Sequence, residues 1–86
     1  MDKNQFNKLF GEFIRQKRIA KNWSQSELAD KLNNNFQNIS RLERGEISPT
    51  LYWIDGLAKA FGELLSDIII EFENYKNQNI EDGDGD

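Results

Sequence analysis

Residues 24–45 constrain the fold of this chain more than any other stretch. They read Ser24-Gln25-Ser26-Glu27-Leu28-Ala29-Asp30-Lys31-Leu32, then Asn33-Asn34-Asn35, then Phe36-Gln37-Asn38-Ile39-Ser40-Arg41-Leu42-Glu43-Arg44-Gly45. Ser24 followed by Glu27 three residues later is a capping box, so a helix of about 25–32 is expected to start there. Its apolar positions Leu28, Ala29 and Leu32 fall on one face, and Ala29 is small enough for a second helix to approach closely. The three asparagines break the pattern. Asn35 suits the N-cap of a second helix, about 36–44, with Ile39 and Leu42 inward and Gly45 as its C′ glycine. Two short helices joined by a tight turn leave few choices of packing angle.

The rest of the chain also reads as helix. From Gln5 to Lys21, residues Phe6, Phe10, Phe13, Ile14 and Lys17 recur at three- and four-residue spacing. Asn22 is a helix stop that tolerates the left-handed conformation, and Trp23 in the following connection is expected to plug the core. Glu46-Ile47-Ser48-Pro49 is a loop. Thr50 caps a helix of about 51–61 with Leu51, Ile54, Leu57, Ala58 and Phe61 inward, and Gly62 ends it. A fifth helix begins at Ser66 or a neighbour and runs to about Lys76, presenting Leu65, Ile68, Ile69 and Phe72, with Ile70 and Tyr75 widening that face. No segment alternates with period two, and no internal repeat is present. The expectation is an all-α, compact five-helix bundle at 1–76. The polar, acidic segment 77–86 cannot bury a core and is expected to be a disordered tail.

Composition narrows the chemistry. Eighty-six residues make one small domain. Without cysteine there is no disulfide and no thiol catalysis, and without histidine the commonest general base and metal ligand are missing. Asp82-Gly83-Asp84-Gly85-Asp86 resembles part of a calcium loop but ends before the closing ligands. No metal, no cofactor and no enzymatic activity are therefore expected. No apolar run approaches about 20 residues and the N-terminus is polar, so no membrane span or signal peptide is expected and a cytoplasmic location is the default.

The net charge of −4 is unevenly spread. Residues 71–86 carry Glu71, Glu73, Glu81, Asp82, Asp84 and Asp86 against Lys76 alone, a net of −5, which leaves +1 for residues 1–70. Within 15–44, seven bases (Arg15, Lys17, Arg18, Lys21, Lys31, Arg41, Arg44) outweigh Glu27, Asp30 and Glu43, so the segment is locally +4. Contact with phosphate follows this local field rather than the total.

With Ile39 and Leu42 inward, helical geometry leaves residues 37, 38, 40, 41 and 44 facing out. Gln37 and Asn38 carry the groups that pair bidentately with adenine, and Arg41 those that pair with guanine. Arg44 and Lys31 suit phosphate. Asn35, Phe36 and Ser40 complete the leading end and outer face. Phe36 could meet a thymine methyl or plug the turn. These residue types point to double-stranded DNA, and the two helices to a helix-turn-helix.

The residues Gly11, Ile14, Arg18, Ser24-Gln25, Leu28-Ala29, Leu32, Ile39 to Gly45, Ser48-Pro49-Thr50-Leu51 and Leu57 to Phe61 carry a resemblance. The chain is similar over about 10–70 to the Cro/phage-repressor (XRE-type) helix-turn-helix family, with the ten-residue separation of Ala29 and Ile39 kept. The resemblance implies a lambda-repressor-like fold with its helix-turn-helix at about 25–44. It also implies a homodimer and a palindromic operator, as in restriction–modification controllers and small bacterial regulators. Gln25 matches the family residue that bonds a phosphate at the start of the second helix. Arg18 and Glu43 match positions that form an ion pair between the first and third helices. Three positions depart from the pattern. Asn33 and Asn34 replace a glycine and an aliphatic residue in the turn, and Phe36 stands where a polar base-reader is usual.

Helix five and the aromatic start of helix four, Tyr52 and Trp53, carry more apolar surface than a core this small needs, which suits a dimer seam. The leading expectation is a sequence-specific transcriptional regulator. The alternative is an antitoxin-like interaction module of the same fold, with a protein partner docking on the acidic tail.

Overall fold

The computed structural model describes residues 1–79. It has five helices among them, α1 Lys3–Ala20, α2 Gln25–Lys31, α3 Phe36–Glu43, α4 Leu51–Ala60 and α5 Leu65–Asn79, and no strand. The all-α expectation holds, and four helix starts are fixed by local side-chain caps. Ser24 accepts from the Glu27 amide at 3.0 Å while Glu27 returns a bond to the Ser24 amide at 2.8 Å. Asn35 accepts from the Asn38 amide and Thr50 from the Trp53 amide. A fourth cap lies outside the expected set. Asp2 and Gln5 form a second capping box, so α1 begins at Lys3 rather than near Gln5.

The turns are set by backbone sign. Asn22 and Asn33 adopt positive φ of 61° and 54°, the conformation that asparagine takes at low cost. Gly45, at φ 77°, ends α3 and also passes against α1, where an added Cβ would lie 2.7 Å from the Lys8 Cα.

The core is formed by Phe10, Phe13, Ile14, Leu28, Ala29, Ile39, Leu42, Leu57, Ala58, Phe61, Ile68 and Phe72. Ile14, Leu28, Ile39, Leu42, Leu57 and Ile68 are the largest fully buried side chains. Each such burial is worth about 1.5–3 kcal/mol, against about 0–1 kcal/mol for an exposed ion pair, so apolar contact holds α1 to α4 together. Trp23 stacks on Phe61 at 5.5 Å between ring centroids and closes the end of this core, as expected. Phe72 brings α5 onto α1 through edge contacts with Phe6 at 5.3 Å and Phe10 at 5.1 Å, and Tyr75 joins Phe13.

Several outward residues differ from the periodicity-based expectation. Leu51 is 63% exposed, because the first turn of α4 projects past the core. Ile69 and Ile70 are also exposed, since α5 meets the core through the single stripe of Leu65, Ile68, Phe72 and Tyr75. Trp53 packs against the core instead of standing outside it, so of the two aromatics at that end of α4 Tyr52 is the one left in solvent. Helix α5 continues to Asn79, three residues past the expected boundary at Lys76. No proline or glycine interrupts 77–79, and Asn79 donates to the Tyr75 carbonyl at 2.7 Å. The remainder of the acidic segment, 80–86, lies outside the described residues. None of the described helices is long and apolar enough to cross a membrane.

A charged staple ties α1 to α5. The Lys17 ammonium donates to Glu63 at 2.6 Å and to Glu71, and lies over the Phe61 ring at 5.1 Å. Burial by itself would push the Glu71 carboxyl up, but its contact with the Lys17 ammonium outweighs this and holds it below the usual value of about 4.5. For Lys17, burial alone would lower the ammonium, and the two carboxylates raise it instead. The Glu71 contribution is thus present above about pH 4.5 and is lost as pH falls through the depressed folded value. The Lys17 contribution is complete below about 10.5 and is lost at higher pH. Urea midpoints of wild type should fall between pH 6 and 3 more steeply than those of Glu71→Gln.

Gly11 permits the closest approach among the glycines of the described residues. A Cβ there would lie 2.3 Å from the Leu42 carbonyl oxygen and 2.7 Å from that of Glu43. Both atoms are backbone, so α3 itself would have to move. Gly11→Ala should therefore destabilise the fold by about 1–3 kcal/mol in urea titrations. That loss runs against the gain of about 1 kcal/mol that alanine brings to an open helix.

Candidate nucleic-acid interface

The site begins with a buried carboxylate. Glu43 lies on the inner edge of α3, with its side chain 2% exposed. Arg18 of α1 reaches it with Nε at 2.7 Å and Nη2 at 3.0 Å, a two-pronged contact. The third nitrogen, Nη1, donates to the Trp23 carbonyl at 2.7 Å. The hydrogen bonds to Glu43 raise Arg18 further above its usual value. Gln25, in the first turn of α2, donates from Nε2 to Glu43 at 3.0 Å. One carboxylate thus joins α1, α2 and α3, and the expected Arg18–Glu43 pair is present.

On the opposite side of α3, Gln37, Arg41 and Arg44 follow at i, i+4 and i+7 and form a single exposed stripe. Gln37 has no side-chain hydrogen bond among the described residues, so both ends of its carboxamide are available. Phe36 precedes the stripe and is 49% exposed, which places it beside the turn without closing over it.

The other sequence-nominated residues are more engaged. The Asn35 side chain is occupied as the α3 cap. Asn38 is half-buried, and its Nδ2 donates to Asn34 Oδ1 at 2.8 Å. The same oxygen accepts from the Asn35 amide at 2.8 Å. Asn34, where the resemblance calls for an aliphatic side chain, therefore braces the turn with polar contacts. Ser40 is half-buried and accepts from Arg44 Nη1. Lys31 is exposed, with its ammonium 4.5 Å from the centroid of the Trp23 ring.

Glu46, in the loop after α3, carries no DNA-facing cue in the sequence. It contacts Arg44 at 2.7 and 3.2 Å and lies 3.9 Å from Arg41. The Arg44 hydrogen bond lowers the Glu46 carboxyl and raises the Arg44 guanidinium. The five-residue spacing from Arg41 gives no helical cue for such a contact, because Glu46 lies beyond the end of α3.

The geometry matches known proteins. The model of the helix-turn-helix family matches residues 14–68. The chain belongs to the helix-turn-helix family. Its members are DNA-binding transcription regulators, and the Cro/phage-repressor likeness of the sequence agrees with this. A relative named as a competence pilus inhibition repressor, from Acinetobacter baylyi, is 35% identical over 68 residues. That match covers 79% of this chain, and the chain spans 62% of the length of this curated relative. Among solved structures, the restriction-modification controller protein C.AhdI from Aeromonas hydrophila superposes with a TM-score of 0.73 at 28% identity. The match covers 79% of this chain and 99% of that one. The clp gene regulator ClgR from Corynebacterium glutamicum shares the fold, with a TM-score of 0.72, 24% identity and coverage of 85% and 79%.

The Arg18–Glu43 contact sets a large energetic asymmetry in this helix-turn-helix protein. Removing the arginine leaves a carboxylate buried without its counter-charge, which costs about 3–5 kcal/mol. Replacing both partners removes the charge altogether. Arg18→Met should lower stability by that amount in urea denaturation, whereas Arg18→Met combined with Glu43→Leu should recover most of the loss.

Proposed function

We propose that this protein is a cytoplasmic transcriptional regulator that binds a palindromic double-stranded operator as a homodimer. The stripe of Gln37, Arg41 and Arg44 on α3 carries this reading, because the Glu43 hub holds it rigidly to α1 and α2. In this pose α3 enters the major groove. Gln37 faces adenine and Arg41 faces guanine, while Phe36 lies against a thymine methyl. Gln25 keeps its bond to Glu43 and offers its remaining Nε2 hydrogen, with the α2 N-terminal amides, to a phosphate. Arg44 meets the backbone. Asn35, Asn38 and Ser40 support the reading helix from its edges. The exposed Leu64, Ile69 and Ile70 of the α5 end, with Leu51 and Tyr52, supply apolar surface for a second copy. The A. baylyi relative, named as a repressor, favours repression as the consequence of operator occupancy.

Selection of sites from random duplexes tests this reading. The expected result is a palindrome with half-sites about one helical turn, roughly 10 base pairs, apart. Failure to enrich any duplex would remove DNA binding, and a single asymmetric site would remove the dimer. Arg41→Ala should cost about 1–3 kcal/mol on the selected site and relax preference at one position in each half-site. An equal loss on unrelated DNA would reassign Arg41 to phosphate.

A further inference from the structure

Glu46 introduces an acid onto the surface that the proposed function gives to DNA. Its carboxylate presents two oxygens to the Arg44 fork, at 2.7 and 3.2 Å, and stands 3.9 Å from Arg41 Nε. A phosphate offers a guanidinium the same two-oxygen geometry. The contact is built by the backbone. Gly45 turns left-handed at φ 77°, and the Glu46 amide then donates to the Arg41 carbonyl at 3.0 Å. This folds Glu46 back beside the last turn of α3. Two residues i and i+2 within a helix would point apart, so only the turn lets Glu46 meet Arg44. The side chains of Arg41, Arg44 and Glu46 are all about half exposed, and exposed pairs of this kind add little to stability. Fold maintenance therefore does not account for an acid at this position, whereas its effect on an incoming polyanion is direct.

We propose that Glu46 is an intramolecular stand-in for a DNA phosphate, which occupies Arg44 and shields Arg41 in the free protein and so limits the affinity of the recognition surface for any duplex. This rests on the DNA-binding reading above. A phosphate that takes Arg44 must displace the carboxylate and then tolerate it as a neighbour. Both effects oppose phosphate contact, and both act equally on specific and unrelated sequences, so base contacts decide where the protein stays. Glu46 lies on the loop side of the reading stripe, and no base contact is assigned to it.

The test compares wild type, Glu46→Gln and Glu12→Gln on a duplex selected by the wild type and on an unrelated duplex of equal length, across about 50–200 mM salt. Glu12 is a half-exposed acid of α1 paired with Arg15, so its substitution changes net charge equally without touching α3. Glu46→Gln should bind both duplexes about three- to ten-fold more tightly at the lowest salt, with the gain shrinking as salt rises. Its plot of log affinity against log salt should steepen by about one. In an Arg44→Ala background the gain from Glu46→Gln should largely vanish. Unchanged affinity, or the same gain from Glu12→Gln, overturns the proposal and leaves the DNA-binding reading intact. A loss of affinity also overturns it, because Glu46 would then be orienting Arg44 for contact. If neither wild type nor Glu46→Gln binds any duplex, both readings fall together.

Discussion

The Glu43 carboxylate is the interaction on which the rest of the interface depends. A charge buried this deeply is tolerated only because every donor it needs is supplied, two from Arg18 and one from Gln25. The donors come from two helices, α1 through Arg18 and α2 through Gln25, and the α1–α2 connection is tied in because Arg18 also donates to the Trp23 carbonyl. Net stabilisation from such a hub is small, since desolvation offsets most of the attraction. Its consequence is geometric. α3 cannot rotate about its own axis without breaking the hub, so Gln37, Arg41 and Arg44 keep one direction relative to the α2 N-terminus. A reading helix that was free to roll would present a different face at each encounter.

Apolar packing supplies what the hub does not. Ile39 and Leu42 seat α3 on the core, and the missing side chain at Gly11 lets the backbones of α1 and α3 come within van der Waals contact. The aromatic cluster around Phe72 then fixes α5 against α1, with the Lys17 staple beside it. Because α5 uses only one edge for this purpose, Ile69 and Ile70 remain exposed. The surface proposed for dimerisation is a by-product of how little of α5 the core requires.

Electrostatically the protein is two-sided. Its net charge is −4, yet the stripe on α3 presents arginines, and the acid nearest to them, Glu46, belongs to the same surface. Association with a polyanion follows the local field, so the sign of the total says little about the partner. The balance within that local field is set by a loop, through the left-handed turn at Gly45.

The sequence by itself determined the five helices, three of the four side-chain caps and the two left-handed asparagines. It also held the Arg18–Glu43 pair, through likeness to a known family. Caps and periodicity involve residues three or four apart, so their physics is local and readable in one dimension. The outward stripe of α3 was legible for the same reason. Tertiary structure alone decided which outward residues are free. Asn38 and Gln25 look like unoccupied polar side chains in the sequence, but Asn34 and Glu43 claim one donor of each. Leu51 fits the apolar period of α4 and still misses the core, because a period fixes a direction and not the length of the neighbouring surface. Glu46 reaches Arg44 only after the chain has reversed at Gly45. In each case the deciding distance lies between atoms that a turn or another helix brings together, and no local propensity encodes that distance.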